Sequence, residues 1–256
     1  MTGGRVPTPR PWISGLDPYA PGRPAADEAS SLASNESSFG ASPAVAAAVA
    51  WAVNRIHRYP DPLAGEVRGR LAERLEVPPE QVLVGNGSDE LIQVLALVYA
   101  SAGGSVVCAD PPYRLHELVS RALGASVHRV PLKQWTHDLS AMARVQADLA
   151  PICNPHNPTG TVVPRTEIAE FALGGSAGLV VLDEAFEDAG YRTVPSQTNF
   201  VLVLTPDEDG PIRQLEQVGV RVRAGSTLGA RGTVRVSVPS EEGFALLNRA
   251  LVESPV

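Results

Sequence analysis

Between Ser105 and Leu182 the chain alternates short, uninterrupted apolar runs with stretches of helical periodicity, and no other feature limits its fold so tightly. The runs are Ser105–Ala109, Ser126–Val130, Leu149–Asn154 and Gly178–Leu182, with helical stretches at Leu115–Leu123, Leu139–Val145 and Arg165–Leu173 between them. An earlier run, Gln81–Gly85, is followed by a helix over Leu91–Ala100. Strands separated in this way predict βαβ units and a parallel sheet. Runs without polar alternation fit strands covered by helices on both faces. The expected fold class is α/β, a three-layer parallel sheet with helices on both faces.

Two helices precede this pattern. Ser42 is placed as an N-cap and Pro43 as the first residue of a helix reaching about Arg58, and a second helix spans Gly65–Leu75. Past Pro195 the order changes to a strand over Asn199–Leu204, a helix over Pro211–Val218, strands over Val220–Arg223 and Thr233–Val238, and a helix over Glu241–Val252. Val220 and Val222 alternate with Arg221 and Arg223, which predicts a half-exposed antiparallel sheet and a small C-terminal α+β domain. The expected division is an N-terminal arm over 1–40, a large domain over 41–190 and the small domain over 191–256.

The 256 residues, 44% hydrophobic and 19% charged, fit a folded chain that needs no disulfide or metal to hold its core. A net charge of −7 argues against nucleic acid or an anionic membrane as the main partner. Cys108 and Cys153 each sit in an apolar run and read as buried small hydrophobes in a reducing compartment. Five scattered histidines give no metal-ligand spacing. The first twelve residues have no apolar core of the secretory type, and no run is long enough to span a bilayer. A soluble, cytoplasmic protein is expected. Of 21 basic residues Lys133 is the only lysine, so chemistry that needs a side-chain amine must use it.

In an open parallel sheet, ligands sit beyond the carboxyl ends of the strands. Gly87-Ser88-Asp89, between a run and a helix start, offers free backbone N–H groups to a phosphate, although an ordinary capped turn has the same look. Asn157 stands in the Pro-flanked turn Asn154–Gly160. Asp183 closes the last parallel run, where an acid is costly to bury without a partner. His116 follows Tyr113 by one helical turn, and Arg235 alternates with Val234 and Val236, so it points off the core face. Each of these has a plain reading: a turn residue, a cap, a core histidine, a solvated arginine. Lys133, just past the third run of the sheet, reads as a loop residue. Gly174–Gly178 matches G-x-S-x-G but precedes a strand instead of following one, which excludes a nucleophile elbow.

Taken together in order, these clusters resemble the pyridoxal-phosphate aminotransferases of fold type I, closest to the histidinol-phosphate aminotransferases. The resemblance runs through Leu16–Gly22, Ser34–Gly40, Tyr59–Pro62, Val84–Glu90, Pro111–Tyr113, Asn154–Gly160, Val181–Ala185, Pro195–Phe200 and Thr233–Ser237. It implies that Gly87, Ser88 and Asp89 hold the cofactor phosphate and that His116 stacks on its ring. Asn157 then donates to the phenolic oxygen, and Asp183 keeps the pyridine nitrogen protonated, which makes the ring an electron sink. Arg235 is implied to fork onto the carboxylate or phosphate of a small amino acid or amino phosphate. A homodimer is implied as well.

The chain departs from that pattern. Phe186 and Phe39 stand where tyrosines are common. After Phe186 the family continues with a segment like S-x-S-K-x-x-x-L-A-G-x-R, which carries the Schiff-base lysine; here Glu187–Gly190 leads straight to Tyr191–Ser196. This looks like an in-frame internal deletion on the order of a hundred residues. It should leave Gln81–Gly85 and Gly178–Leu182 to pair directly in a five-stranded parallel sheet, because buried unpaired edges are costly. No catalytic residue is assignable. Lys133 follows the far edge of the expected sheet, so ordinary transamination is not expected of this chain alone, and any pyridoxal phosphate would be held non-covalently. A non-catalytic binding remnant, and an enzyme that reuses the cleft without the cofactor, stand as alternatives.

Overall fold

The structure, a computed structural model, describes residues 7–27, 29–37, 40–183, 198–205 and 207–253. The chain divides into two compact units, one of Phe39–Leu91 and one of Met1–Ser38 with Ile92–Val256.

The smaller unit holds α1 (Pro43–Val53) and α2 (Gly65–Leu75). Ser42 caps α1 by accepting from the Val45 N–H, with Pro43 at the first position, as its sequence predicts. The helix stops at Val53, short of the expected Arg58. α2 has the expected bounds, and the Asp61 carboxylate accepts from the N–H groups of Leu63 and Gly65 at its start. The expected strand over Gln81–Gly85 is not formed. A short 3-10 turn (Pro79–Gln81) occupies its beginning, and the residues after it pair with no strand. A strand exists only through its neighbours. Leu83 is 65% exposed and Val84 40%, so of the apolar side chains that made this run look like one only Val82 is buried.

α3 (Ser88–Tyr99) leads into the larger unit. There follow β1 (Ser105–Asp110), α4 (Arg114–Ala122), β2 (Ser126–Pro131), α5 (Leu139–Met142), β3 (Ala147–Cys153), α6 (Arg165–Leu173) and β4 (Ala177–Asp183). The four strands lie in the order β2-β1-β3-β4, all parallel, in place of the expected five. Successive residues of β1 face opposite sides, and each side has its own core. Val107 packs with Val130, Ile152, Ile168 and Phe171 beside α5 and α6. Val106 packs with Ala96, Ala100, Ala125 and Leu149 beside α3 and α4. The three-layer α/β architecture is therefore present. Cys108 and Cys153 are buried in it as free thiols, and burial pushes each thiol up to about 12.

The rest of the unit is a second sheet, β5 (Phe200–Leu204), β6 (Arg223–Ala224) and β7 (Thr233–Ser237), ordered β5-β7-β6 and antiparallel. It carries α7 (Asp209–Gln217) and α8 (Glu241–Glu253). The half-exposure expected of this sheet is seen at β5, where Val203 and Leu204 are exposed, but not at β7, which is buried on both faces except at Val236. The N-terminal arm is the reason. Leu32 N donates to Arg221 O (2.9 Å), Arg221 N to Ser30 O (2.8 Å) and Ser237 N to Leu32 O (2.9 Å). Leu32 packs with Leu215, Val220 and Ala250. The expected strand Val220–Arg223 shrinks to β6 because Arg221 gives its backbone groups to the arm. Among the described residues no helix is long and apolar enough to cross a membrane.

Candidate active site

The register of β6 on β7 sets Arg223 directly opposite Arg235. Like charges facing each other across an antiparallel pair repel, and here both are buried, Arg223 at 5% and Arg235 at 4% exposure. Sequence alternation places Arg235 off the core face as a solvated arginine, and its burial corrects that expectation. Arg235 Nη1 donates to Asn157 Oδ1 (2.9 Å) and Nη2 to Ala33 O (2.7 Å), while Nε is buried with no hydrogen-bond partner among the described residues. Its guanidinium lies over the Phe200 ring. Arg223 donates to Thr227 Oγ1 and Ala20 O and lies over the Tyr19 ring. Among the described residues neither arginine has a carboxylate within ion-pair distance. Burial, with the charge of Arg223 adding to it, lowers the Arg235 guanidinium to about 10. Both arginines line one cavity of about 130 Å³ with Tyr19, Asn35, Tyr113 and Asn157. Two buried cations with only neutral partners call for an anion.

The turn that carries Asn157 is fastened from within. Asn154 Oδ1 accepts from Val163 N (2.8 Å) and its Nδ2 donates to Val163 O (3.2 Å). The Asn157 N–H points to Cys153 Sγ (3.4 Å). Beneath the turn, the rings of His137 and His156 meet edge to face at 4.5 Å between centroids. His137 Nε2 bonds Cys153 O and His156 Nε2 bonds Pro111 O, so Nε2 is the donor in both rings. Burial lowers His137 to about 4 and also holds His156 well below the usual imidazole value.

At the end of β4, Asp183 lies beside the end of β3 and next to α4. His116 Nε2 is 3.0 Å from Asp183 Oδ2, with the side chains 3% and 15% exposed. Asp183 Oδ1 has no hydrogen-bond partner among the described residues. The Tyr113 ring meets His116 edge-on at 5.1 Å. Neither His116 nor Asp183 lines the arginine cavity.

The predicted site residues thus fall into three groups: Asn157 with Arg235, His116 with Asp183, and Gly87–Asp89 in the smaller unit. Gly87 has φ +81° and begins the turn into α3, with Ser88 and Asp89 in the first helical turn. There the Asn86 N–H and side-chain amide both donate to the Glu90 carboxylate. Phe39, Phe186 and the join at 187–196 lie outside the described residues. Lys133 follows β2, the far edge of the sheet from β4, and its backbone is tied to Thr136. Three strand spacings, about 14 Å, separate those edges. The chain's one lysine therefore lies away from Asp183.

Sequence reasoning missed Arg223, Tyr19 and Asn35. Arg223 carried a signal, since it alternates with valines as Arg235 does, and pairing those two short strands would have set the arginines opposite each other.

Comparison with known proteins bears on this geometry. The family model for aminotransferase class I and II matches residues 28–193. An aromatic amino acid aminotransferase of Thermobifida fusca is 40% identical over 195 residues, covering 73% of this chain and 54% of that protein. A histidinol-phosphate aminotransferase of Halalkalibacterium halodurans is 35% identical over 256 residues, covering 95% of this chain and 65% of that protein. The chain thus spans about half to two thirds of the length of these relatives. The crystal structure of histidinol-phosphate aminotransferase from Sinorhizobium meliloti in complex with pyridoxal-5'-phosphate superposes with a TM-score of 0.78 at 20% identity, covering 98% of each chain.

Proposed function

Because the chain belongs to the class I and II aminotransferase family, we propose that it binds a small anionic amino compound at the Arg223–Arg235 pair and does not carry out ordinary transamination by itself. The observation that carries this reading is the pair of buried guanidinium groups, opposite each other in one cavity and without a carboxylate among the described residues. An amino acid carboxylate or an amino phosphate supplies the missing charge on a pair of oxygens that arginine can fork.

The ring end of the site is assigned to pyridoxal phosphate or its amine form. Asp183 Oδ1 would hold the ring nitrogen, the Asn157 amide the phenolic oxygen, His116 the ring face and Gly87–Asp89 the phosphate. When bound, the group serves as an electron sink for the carbon that carries the amine. Covalent attachment has no counterpart here, since the only lysine follows the opposite edge of the sheet. We attribute this to an internal deletion after Phe186. Motifs on both sides of it keep family order while the chain spans only part of its relatives' length. A homodimer, a cytoplasmic setting and domain limits at 41–190 and 191–256 belong to the same reading.

The test is direct. Pyridoxal phosphate is added to the purified protein, binding is followed by absorbance, and borohydride is then used to fix any adduct. We expect binding without a fixed adduct, together with saturable binding of histidinol phosphate that R235K weakens. An adduct on Lys133 would overturn the non-covalent reading. Failure of every anionic amino compound to bind would leave a remnant without ligand.

A further inference from the structure

The parallel sheet ends on two edges of opposite character. β2 carries His128, Arg129 and Pro131, the charged and proline residues that keep an edge from recruiting another strand. β4 has neither a charge nor a proline before its last residue, Asp183. That is the composition of an interior parallel strand. Yet among the described residues β4 pairs only with β3. β3 is buried from Leu149 to Cys153, while no residue of β4 is buried. α3, which shares a core with Leu179 and Val181, likewise leaves Val94, Leu97 and Val98 exposed. The open side also has a definite hydrogen-bonding pattern. Asp183 O accepts from the N–H of Asn154, on the β3 side. Successive residues of a strand turn their backbone groups to opposite edges, so Val181 and Asp183 face β3 while Val180 and Leu182 face outward. Gln81–Gly85 does not answer them, because its groups are used within the smaller unit: Val82 N donates to Pro79 O, and Val82 O accepts from Arg68 Nε.

We propose that β4 is a dimerisation edge, taken by β4 of a second copy of this chain in antiparallel register about a two-fold axis at Val180. A residue that faces outward at the centre of such a seam exchanges both of its backbone hydrogen bonds with its own copy. Leu182 then meets Gly178 of the second copy, and Asp183 meets Ala177. The two Asp183 carboxylates lie at opposite ends of the seam, roughly 20 Å apart at the rise of a strand. No like charges face each other across it, the condition that a self-complementary edge must satisfy. The pairing also closes. Each copy uses its one unguarded edge, and the charged residues and proline of β2 stop the joint sheet from growing further.

Analytical ultracentrifugation of the wild type and V180P tests the seam. The substitution removes the outward N–H at its centre and none that bonds β3. The wild type should sediment at twice the mass of one chain. V180P should raise the dimer dissociation constant about tenfold or more, since two cross-strand hydrogen bonds are lost. A monomeric wild type would overturn the proposal. So would a dimer that V180P leaves intact, because it would use another surface. Proline can also disturb folding, so a second measurement uses the wild type alone. Amide hydrogen exchange should show the Val180 and Leu182 N–H groups protected in the dimer, with protection falling about tenfold or more on dilution to monomer. The Val181 N–H, bonded to β3, should stay protected throughout. Protection of Val180 and Leu182 that persists in the monomer would show the edge covered by the chain itself. Absence of protection in the dimer would show the edge bare. Either result would overturn the β4 seam.

Discussion

Arg235 on β7 donates to Asn157 in the turn after β3 at 2.9 Å, a hydrogen bond between residues 78 positions apart that ties the antiparallel sheet to the carboxyl end of the parallel one. Among the described residues Asn157 is the only side-chain acceptor for Arg235, and its other hydrogen bond goes to the carbonyl of Ala33. The arginine therefore sits at a fixed point where two sheets and the N-terminal arm meet.

Truncating Asn157 should expose how far that tie supports the fold. N157A leaves Arg235 Nη1 without its acceptor in a buried setting and should lower stability by about 1–3 kcal/mol. Urea denaturation gives the value. A double-mutant cycle with R235Q isolates the coupling, and additivity of the two changes would show that the bond contributes nothing.

Replacing Arg235 by lysine keeps the charge and removes the planar fork. R235K should weaken binding of histidinol phosphate by roughly tenfold or more, the scale of a charge-assisted hydrogen bond. Isothermal calorimetry on both proteins reads the change, and unchanged affinity would place the anion elsewhere.

Acid should destabilise the chain through the histidines under the Asn157 turn. His137 is lowered from 6.5 to about 4 in the folded chain, so the unfolded chain takes up the proton first as pH falls. The contribution of His137 is complete above about pH 6.5 and is lost as pH drops towards 4. On order-of-magnitude linkage it amounts to about 3 kcal/mol. Urea midpoints measured between pH 7 and pH 4 should fall more steeply for the wild type than for H137N.

Gly225 admits no side chain. A methyl group there would clash with Thr233 Oγ1 and Ala230 O, and the second of these is backbone. G225A should destabilise by about 3 kcal/mol and shift the turn that carries Leu228 along the cavity, which thermal melting and anion titration of the same protein would both report.

The parts of the fold legible in the sequence are those whose signal is local. α2 and α6 have the bounds their sequences predict. The strands β1, β3 and β4 announce themselves as short, largely apolar runs set between helical stretches. Gln81–Gly85 has the same composition, yet a strand needs a neighbour, and pairing is decided far away in the chain. Arg235 shows the complementary limit. Alternation says that it points away from the valines, but the group covering it is the carbonyl of Ala33, two hundred residues earlier. The His116–Asp183 contact was equally hidden, since each residue was legible as a site candidate and their meeting depends on how α4 packs against the sheet.

The cross-strand arginines have a practical consequence. A fold that sets two buried guanidinium groups face to face carries an electrostatic strain in proportion to their closeness, and any anion that fits between them relieves it. Ligand recognition and conformational stability are then coupled through the same pair, so that the melting temperature becomes a reporter of what the cavity accepts. Candidate compounds can be ranked by that rise alone, without knowing in advance what reaction, if any, follows binding.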